Sequence, residues 1–233
     1  MVCPSWLSFI LYNPVRKIFT DREAILAESG ITENSVVLEV GAGNGFLTEE
    51  LATHAKKVYA VELQAGMIRK LKSRIARFGE RVAVIKGDIA SLSLDEGFAD
   101  VCILYYSFHE FDDKEKAAEA ISRAVKPGGI VSIYEPTLEV GKSSMMKTMM
   151  MFKQRNFVAF VEKNGILTRF VSLKKNISPE LCGAVKRSPH EFYKAGLRKE
   201  KPKDNCSWHS KNVGFRFTQP NLPGSFLKRL IRF

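Results

Sequence analysis

Residues 36–50 read Val-Val-Leu-Glu-Val-Gly-Ala-Gly-Asn-Gly-Phe-Leu-Thr-Glu-Glu: an apolar, β-branched run passes through a glycine-rich bend into a helical pattern. A buried strand that turns so tightly into a helix belongs to a βαβ unit, and the glycines let a ligand approach the bend without a Cβ in the way. The same alternation continues downstream, which is the mark of a parallel sheet with crossover helices. The pattern predicts strands over 36–40, 57–61, 82–86, 99–105, 130–134, 157–162 and 168–173, and helices over 45–53, 65–78, 114–125 and 144–155.

Seven strands and their crossovers use the chain to about residue 175, so one catalytic domain over 31–175 is expected within 233 residues. Residues 1–30 read as short amphipathic helices, with Thr20 or Asp21 capping a helix over 22–28 that Gly30 ends. Residues 176–233 are weakly patterned, with recurring prolines and short helical stretches at 191–197 and 226–233. The net charge of +11 is concentrated there: 12 Lys and Arg face 4 Asp and Glu. No apolar run approaches the ~20 residues of a membrane span. The N-terminal apolar stretch lacks the flanks of a signal peptide. The four cysteines form no C-x-x-C pair, so neither a zinc site nor a disulfide framework is indicated, and a cytoplasmic location is expected.

The chemistry-bearing residues fall at strand ends. A nicotinamide fingerprint would need glycine at position 46, where this chain has Phe46. Glu62 ends Val58-Tyr-Ala-Val-Glu about 20 residues beyond the glycine bend, the separation that sets a carboxylate beside a bound ribose. Asp88 follows the third strand in Ile85-Lys-Gly-Asp-Ile, as a ligand contact or a turn cap. The fourth strand delivers Tyr105-Tyr106-Ser-Phe-His109-Glu110 to the carboxyl edge, where ligands bind in open α/β sheets. His109 reads as a general base or substrate contact, or equally as a capping or packing residue. Glu135 reads as a pocket border or as an exposed strand end. Met145, Met146, Met149 and Met150 recur at helical spacing, as core or as a soft face beside the pocket.

In order and spacing, these motifs resemble class I S-adenosylmethionine-dependent methyltransferases over about residues 31–175, nearest to a small-molecule branch that includes quinone methyltransferases. The resemblance implies an α/β fold with a Rossmann-like, seven-stranded, mostly parallel sheet, helices on both faces, N-terminal lid helices and a basic C-terminal extension. It implies S-adenosyl-L-methionine as cofactor, no metal, and cofactor contacts at Glu39, Gly41, Gly43, Glu62, Asp88 and Tyr105. Glu39 would offset the cofactor's α-ammonium and Asp88 would read the adenine. Tyr106 and His109 are the expected catalytic residues, lying near the transferred methyl. The Lys-Pro-Gly-Gly segment from Lys126 looks like the family's turn between a helix and the fifth strand, and Tyr12 or Phe19 would cover the pocket.

A small-molecule acceptor is expected. The glycine-loop region also resembles RNA adenine dimethyltransferases, but their fourth strand ends in an Asn-[Leu/Ile]-Pro-[Tyr/Phe] motif, where this chain has Tyr105-Tyr-Ser-Phe. A non-enzymatic reading keeps the cofactor fold as a regulatory module. In it the basic tail, with Lys186, Arg187 and Arg198 interleaved with Phe192, Tyr193 and Trp208, contacts RNA or a membrane surface; the plainer reading of the tail is a solvated extension. The sequence does not specify an oligomeric state.

Overall fold

The computed structural model describes residues 20–177. The expected helices before Thr20, the pocket-covering Tyr12 and Phe19, and the basic extension from residue 178 onward lie outside the described residues.

Strands β1 (Val36–Val40), β2 (Lys57–Glu62), β3 (Val82–Lys86), β4 (Ala99–Tyr105), β5 (Val125–Pro136), β6 (Phe157–Asn164) and β7 (Thr168–Lys175) form one sheet, ordered β3-β2-β1-β4-β5-β7-β6. The first five are parallel, while β7 runs antiparallel to both β5 and β6. The helices are α1 (Arg22–Glu28), α2 (Thr48–His54), α3 (Ala65–Ile75), α4 (Lys114–Ala124) and α5 (Lys142–Lys153). Strand order reverses between β1 and β4, and right-handed crossovers on either side of that reversal place helices on opposite faces. Leu38, Cys102 and Leu104 accordingly pack with α4 and α5 on one face. Val37, Val58 and Ile103 pack with α1, α2 and α3 on the other. The period-two split of β1 and β4 residues between two cores is what a strand covered on both sides requires.

Three boundaries differ from the sequence reading for identifiable reasons. The helix expected from residue 45 begins at Thr48. Gly45 sits at φ +86°, a conformation no helix contains, and an added Cβ there would fall 2.8 Å from a Leu71 methyl, so the bend runs three residues further. The third helix stops at Ile75 and tightens into a 3-10 stretch, Ala76–Arg81, that accommodates Gly79 at φ +54°. The Lys126-Pro-Gly-Gly segment lies within β5 as a bulge: Ala99 pairs with Val125 and Val101 with Ile130, so four residues oppose Asp100 alone. Asp100 fastens this bulge by accepting from Lys126 Nζ (2.6 Å) and from the first amide of β1, Val36 (2.8 Å).

The methionine pattern on α5 divides. Met145 is buried and Met149 packs against the core, whereas Met146 and Met150 face solvent. Glu135 is 2 % exposed, which overturns its reading as an exposed strand end.

Phe152 of α5 is fully buried between Phe108, just after β4, and Phe157 of β6, with centroids 5.9 and 5.7 Å away. It therefore supports the segment that leads into the carboxyl edge. Phe152→Ala is expected to lower stability by about 3–5 kcal/mol through the cavity it leaves. Urea unfolding should show a lower midpoint at an unchanged m-value.

Candidate active site

At the carboxyl ends of β1 to β4 the structure encloses a cavity of about 640 Å³, within the ~300–1,000 Å³ typical of small-ligand sites. All eight residues singled out from the sequence, Glu39, Gly41, Gly43, Glu62, Asp88, Tyr105, Tyr106 and His109, line it. The cavity lies beside the β1/β4 reversal, where neighbouring crossovers leave opposite faces and the strand ends stay uncovered.

The glycine bend is held open by a carboxylate. Glu62, 7 % exposed, accepts the Gly43 amide on Oε2 and the Gln64 amide on Oε1, both at 2.8 Å. Each oxygen keeps a lone pair for a further donor, and two vicinal hydroxyls are such a pair. Gly41 backs onto the Ser107 side chain, where an added Cβ would fall 2.4 Å from Ser107 Cβ. Gly43, at φ +57°, has no atom within 4 Å of the corresponding position, so its backbone wall is open to a ligand. Asp88 Oδ1 accepts the Ala90 amide at 3.0 Å, so it caps a turn while lining the cavity.

Glu39 is 3 % exposed, and its nearest donor is Thr48 Oγ1 at 2.6 Å. Burial pushes its pKa from 4.5 up to about 8; the Thr48 hydrogen bond works against this and the Glu62 charge adds to it. A buried, reluctant carboxyl is the group that gains most from an incoming cation, because a positive charge restores the solvation that burial removed.

On the other side of the cavity, Tyr105 stacks on Tyr106 at 4.5 Å between centroids, with Phe46 6.2 Å from Tyr105. Tyr106 adopts φ +57°, uncommon for a bulky residue, and is held there by its amide to Tyr134 O (2.8 Å) and its hydroxyl to Thr168. Buried Ser107 donates to Val40 O at 2.8 Å and joins the end of β4 to that of β1.

His109 is clamped by acids. Glu135 accepts its amide (3.0 Å) and its Nδ1 (2.5 Å), while Nε2 faces Glu139 at 3.1 Å. Burial alone would favour the neutral ring, but the hydrogen bond to Glu135 and the charges of Glu135, Glu139 and Glu110 outweigh it and hold the imidazole above its ordinary range. Lys114 Nζ donates to the carbonyls of His109 and Phe111 and fastens the segment from beneath.

Comparison with known proteins agrees with this geometry. A family model described as a methyltransferase domain matches residues 38–133. An uncharacterized methyltransferase of Anoxybacillus flavithermus is 30 % identical over 150 residues, covering 63 % of this chain and 68 % of the relative. The chain belongs to the class I S-adenosylmethionine-dependent methyltransferase family. Another family member, from Geobacillus sp. (strain WCH70), is 34 % identical over 108 residues, 46 % of this chain and about half (49 %) of the relative's own length. A probable ribosomal RNA small subunit methyltransferase A of Methanococcoides burtonii is 38 % identical over 85 residues, 36 % of this chain and 31 % of that one. Among solved structures, a SAM-dependent methyltransferase from Aquifex aeolicus superposes with a TM-score of 0.66 at 22 % identity, covering 74 % of this chain and 99 % of that one, a likeness of fold.

The sequence reading missed several cavity residues, among them Met67, Ser107, Phe111, Asp112 and Glu139. Ser107 and Phe111 lie inside a segment already marked by its position after β4. Glu139 lies beyond β5, in a stretch with no motif, and only the folded chain carries it to His109.

Between pH 4.5 and 8 the native state keeps a proton on Glu39 that the unfolded chain has released, so stability falls as pH rises through that window. Glu39→Gln, neutral at every pH, is expected to flatten this decline. Thermal melts should show the variant gaining on the wild type at pH 8.5 relative to pH 5.

Proposed function

We propose that the chain transfers a methyl group from S-adenosyl-L-methionine to a small-molecule acceptor bound on the Tyr106–His109 side of the cavity. The observation that carries this is the convergence of the Glu62-braced glycine bend, Asp88 and the Tyr105–Tyr106 pair on one cavity. The residues fit the cofactor: Gly43 leaves space against its backbone, Glu62 offers two acceptors to a ribose, and Glu39 and Glu62 are acids beside a cationic ligand. Leu63, half exposed, and Ile89 supply apolar surface next to Glu62 and Asp88, as a purine ring requires. When bound, the cofactor supplies an activated methyl and its own leaving group. The chain's part is alignment and exclusion of water. Tyr105 and Tyr106 wall the reacting side, and His109 holds a proton at Nε2 between the cavity and Glu139.

Charge supports a small acceptor. Among the described residues, Glu39, Glu62, Asp88, Glu110, Asp112 and Glu139 line the cavity, with no Lys or Arg. A nucleic-acid backbone gains its affinity from cations that neutralise phosphates, and this rim has the opposite sign. RNA is the second reading, favoured by the relative named for ribosomal RNA methylation.

Tritium transfer from labelled cofactor into a cell extract, separated into small molecules, lipid, protein and RNA, tests both readings; label confined to RNA would replace the first by the second. Glu62→Gln is expected to weaken S-adenosylhomocysteine binding about tenfold or more in calorimetry, the worth of a hydrogen bond to a charged acceptor. His109→Gln should leave that affinity unchanged and reduce transfer.

A further inference from the structure

Glu135 is buried behind the cavity wall and has both carboxylate oxygens on one residue: Oε1 accepts the His109 amide at 3.0 Å and Oε2 meets His109 Nδ1 at 2.5 Å. A carboxylate held this way fixes the orientation of the ring and its tautomer together, because a proton kept on Nδ1 leaves the lone pair on Nε2. His109 lines the cavity, and its Nε2 stands 3.1 Å from Oε2 of Glu139. Glu139 lines the cavity too, yet its side chain is 65 % exposed, so it touches both the site and the solvent. The loop that carries it is fixed at three points. The Glu139 amide donates to Pro136 O at 3.2 Å, the Thr137 amide to Leu167 O of the β6–β7 turn at 3.0 Å, and Arg169 Nε to Val140 O at 2.8 Å. The charged groups that face His109 are Glu135 from β5, Glu139 from the loop after it and Glu110 from its own turn, with Lys114 of α4 donating to the His109 carbonyl at 2.9 Å.

We propose that Glu135 is a positioning residue that sets His109 Nε2 as the base for the acceptor, that Glu139 is the outlet for the proton taken, and that the acceptor carries an N–H or O–H whose proton leaves as the methyl arrives. The acceptor's class rests on the methyl-transfer reading above; the clamp on the ring does not. The sign of the wall is what makes a base necessary. Glu110, Asp112 and Glu139 surround this side, and among the described residues no Lys or Arg lines the cavity. An N–H or O–H group beside carboxylates keeps its proton, because a like charge disfavours the anion. The acceptor therefore arrives with its proton, and a base within reach lowers the barrier. The lone pair of its nitrogen or oxygen forms the bond to the methyl carbon while the methyl–sulfur bond breaks, its electron pair staying on sulfur. The acceptor's proton passes to His109 Nε2 and from there to Glu139 and water. The positive charge of the sulfonium thus leaves as one proton. Burial favours the neutral ring, but the Glu135 hydrogen bond and the three carboxylate charges outweigh it and stabilise the imidazolium that forms. Nε2 is free to accept only when the ring is neutral, so transfer rises as pH passes upward through the raised pKa of His109.

The test follows the imidazole nitrogens of the full chain by NMR, without cofactor or acceptor, with the His109 signals assigned by their loss in His109→Gln. The titration midpoint of the ring is expected above the ~6.5 of a free histidine, with the neutral ring protonated at Nδ1. Glu135→Gln and Glu139→Gln should each move the midpoint to lower pH. A neutral ring protonated at Nε2, or a midpoint that neither variant moves, overturns the proposal. Transfer of tritium from labelled S-adenosyl-L-methionine to the small-molecule fraction of a cell extract, measured from about pH 5 to 9, should rise along the same midpoint. In Glu135→Gln the rise should move to lower pH with the ring and the plateau should fall about tenfold or more, at unchanged affinity for S-adenosylhomocysteine. Should that variant melt early, Glu139→Gln, altered at an exposed side chain, carries the same comparison of pH profiles. A profile that both variants leave as in the wild type overturns the proposal. So does a labelled product that a cation exchanger still retains at about pH 12, since a fixed cation has lost no proton. Failure of the wild type to bind S-adenosylhomocysteine in calorimetry would count against the methyl-transfer reading alone, because the ring titration is read without it.

Discussion

The grip of Glu62 on two backbone amides is the interaction on which the rest of the site depends. The glycine bend has no side chains of its own to fix it, and a loop with such freedom loses more entropy on ordering than any other. Glu62 supplies the missing constraint from the next strand: the Gly43 and Gln64 amides converge on one carboxylate, so the bend and the end of β2 are ordered together. Because that carboxylate is nearly buried, hydrogen bonds to it are stronger than they would be in water. The opening beside Gly43 is therefore kept in shape before any ligand arrives.

A second constraint acts on the facing wall. Glu135, buried at the end of β5, holds both the backbone and the ring of His109, and Ser107 fastens the start of the same segment to the end of β1. This wall of the cavity is thus referenced to the sheet at two points. A rigid sheet edge that positions loop-borne residues is how α/β folds separate scaffold from chemistry.

The glycine-bend side of this cavity is legible in the sequence because its requirements are local. A carboxylate at a strand end, a bend that only glycines can make and a spacing of about 20 residues are all written within short windows, and Glu39, Gly43, Glu62 and Asp88 all line the one cavity. The facing wall is not legible in that way. Glu135 read equally well as an exposed terminus, since nothing in Tyr-Glu-Pro reveals that His109, 26 residues earlier, folds over it. Glu139 carries no motif at all. The Lys-Pro-Gly-Gly segment has the composition of a turn between elements but lies in a bulge inside β5, because its pairing opposite Asp100 is decided across the sheet. The first helix of the bend began late for a similar reason: Leu71, a residue of a different helix, presses on Gly45.

The reversed strand β7 has a consequence of its own. Five strands run the same way, and beyond their carboxyl ends β1, β2, β4 and β5 each lead into a helix. By entering the sheet antiparallel, β7 brings the β6–β7 turn back up to the same rim from outside, with no helix attached. Residues added at that turn would lengthen the wall of the mouth without shifting the register of any strand, so this is the place where descendants of the fold can remodel what enters while the sheet stays as it is.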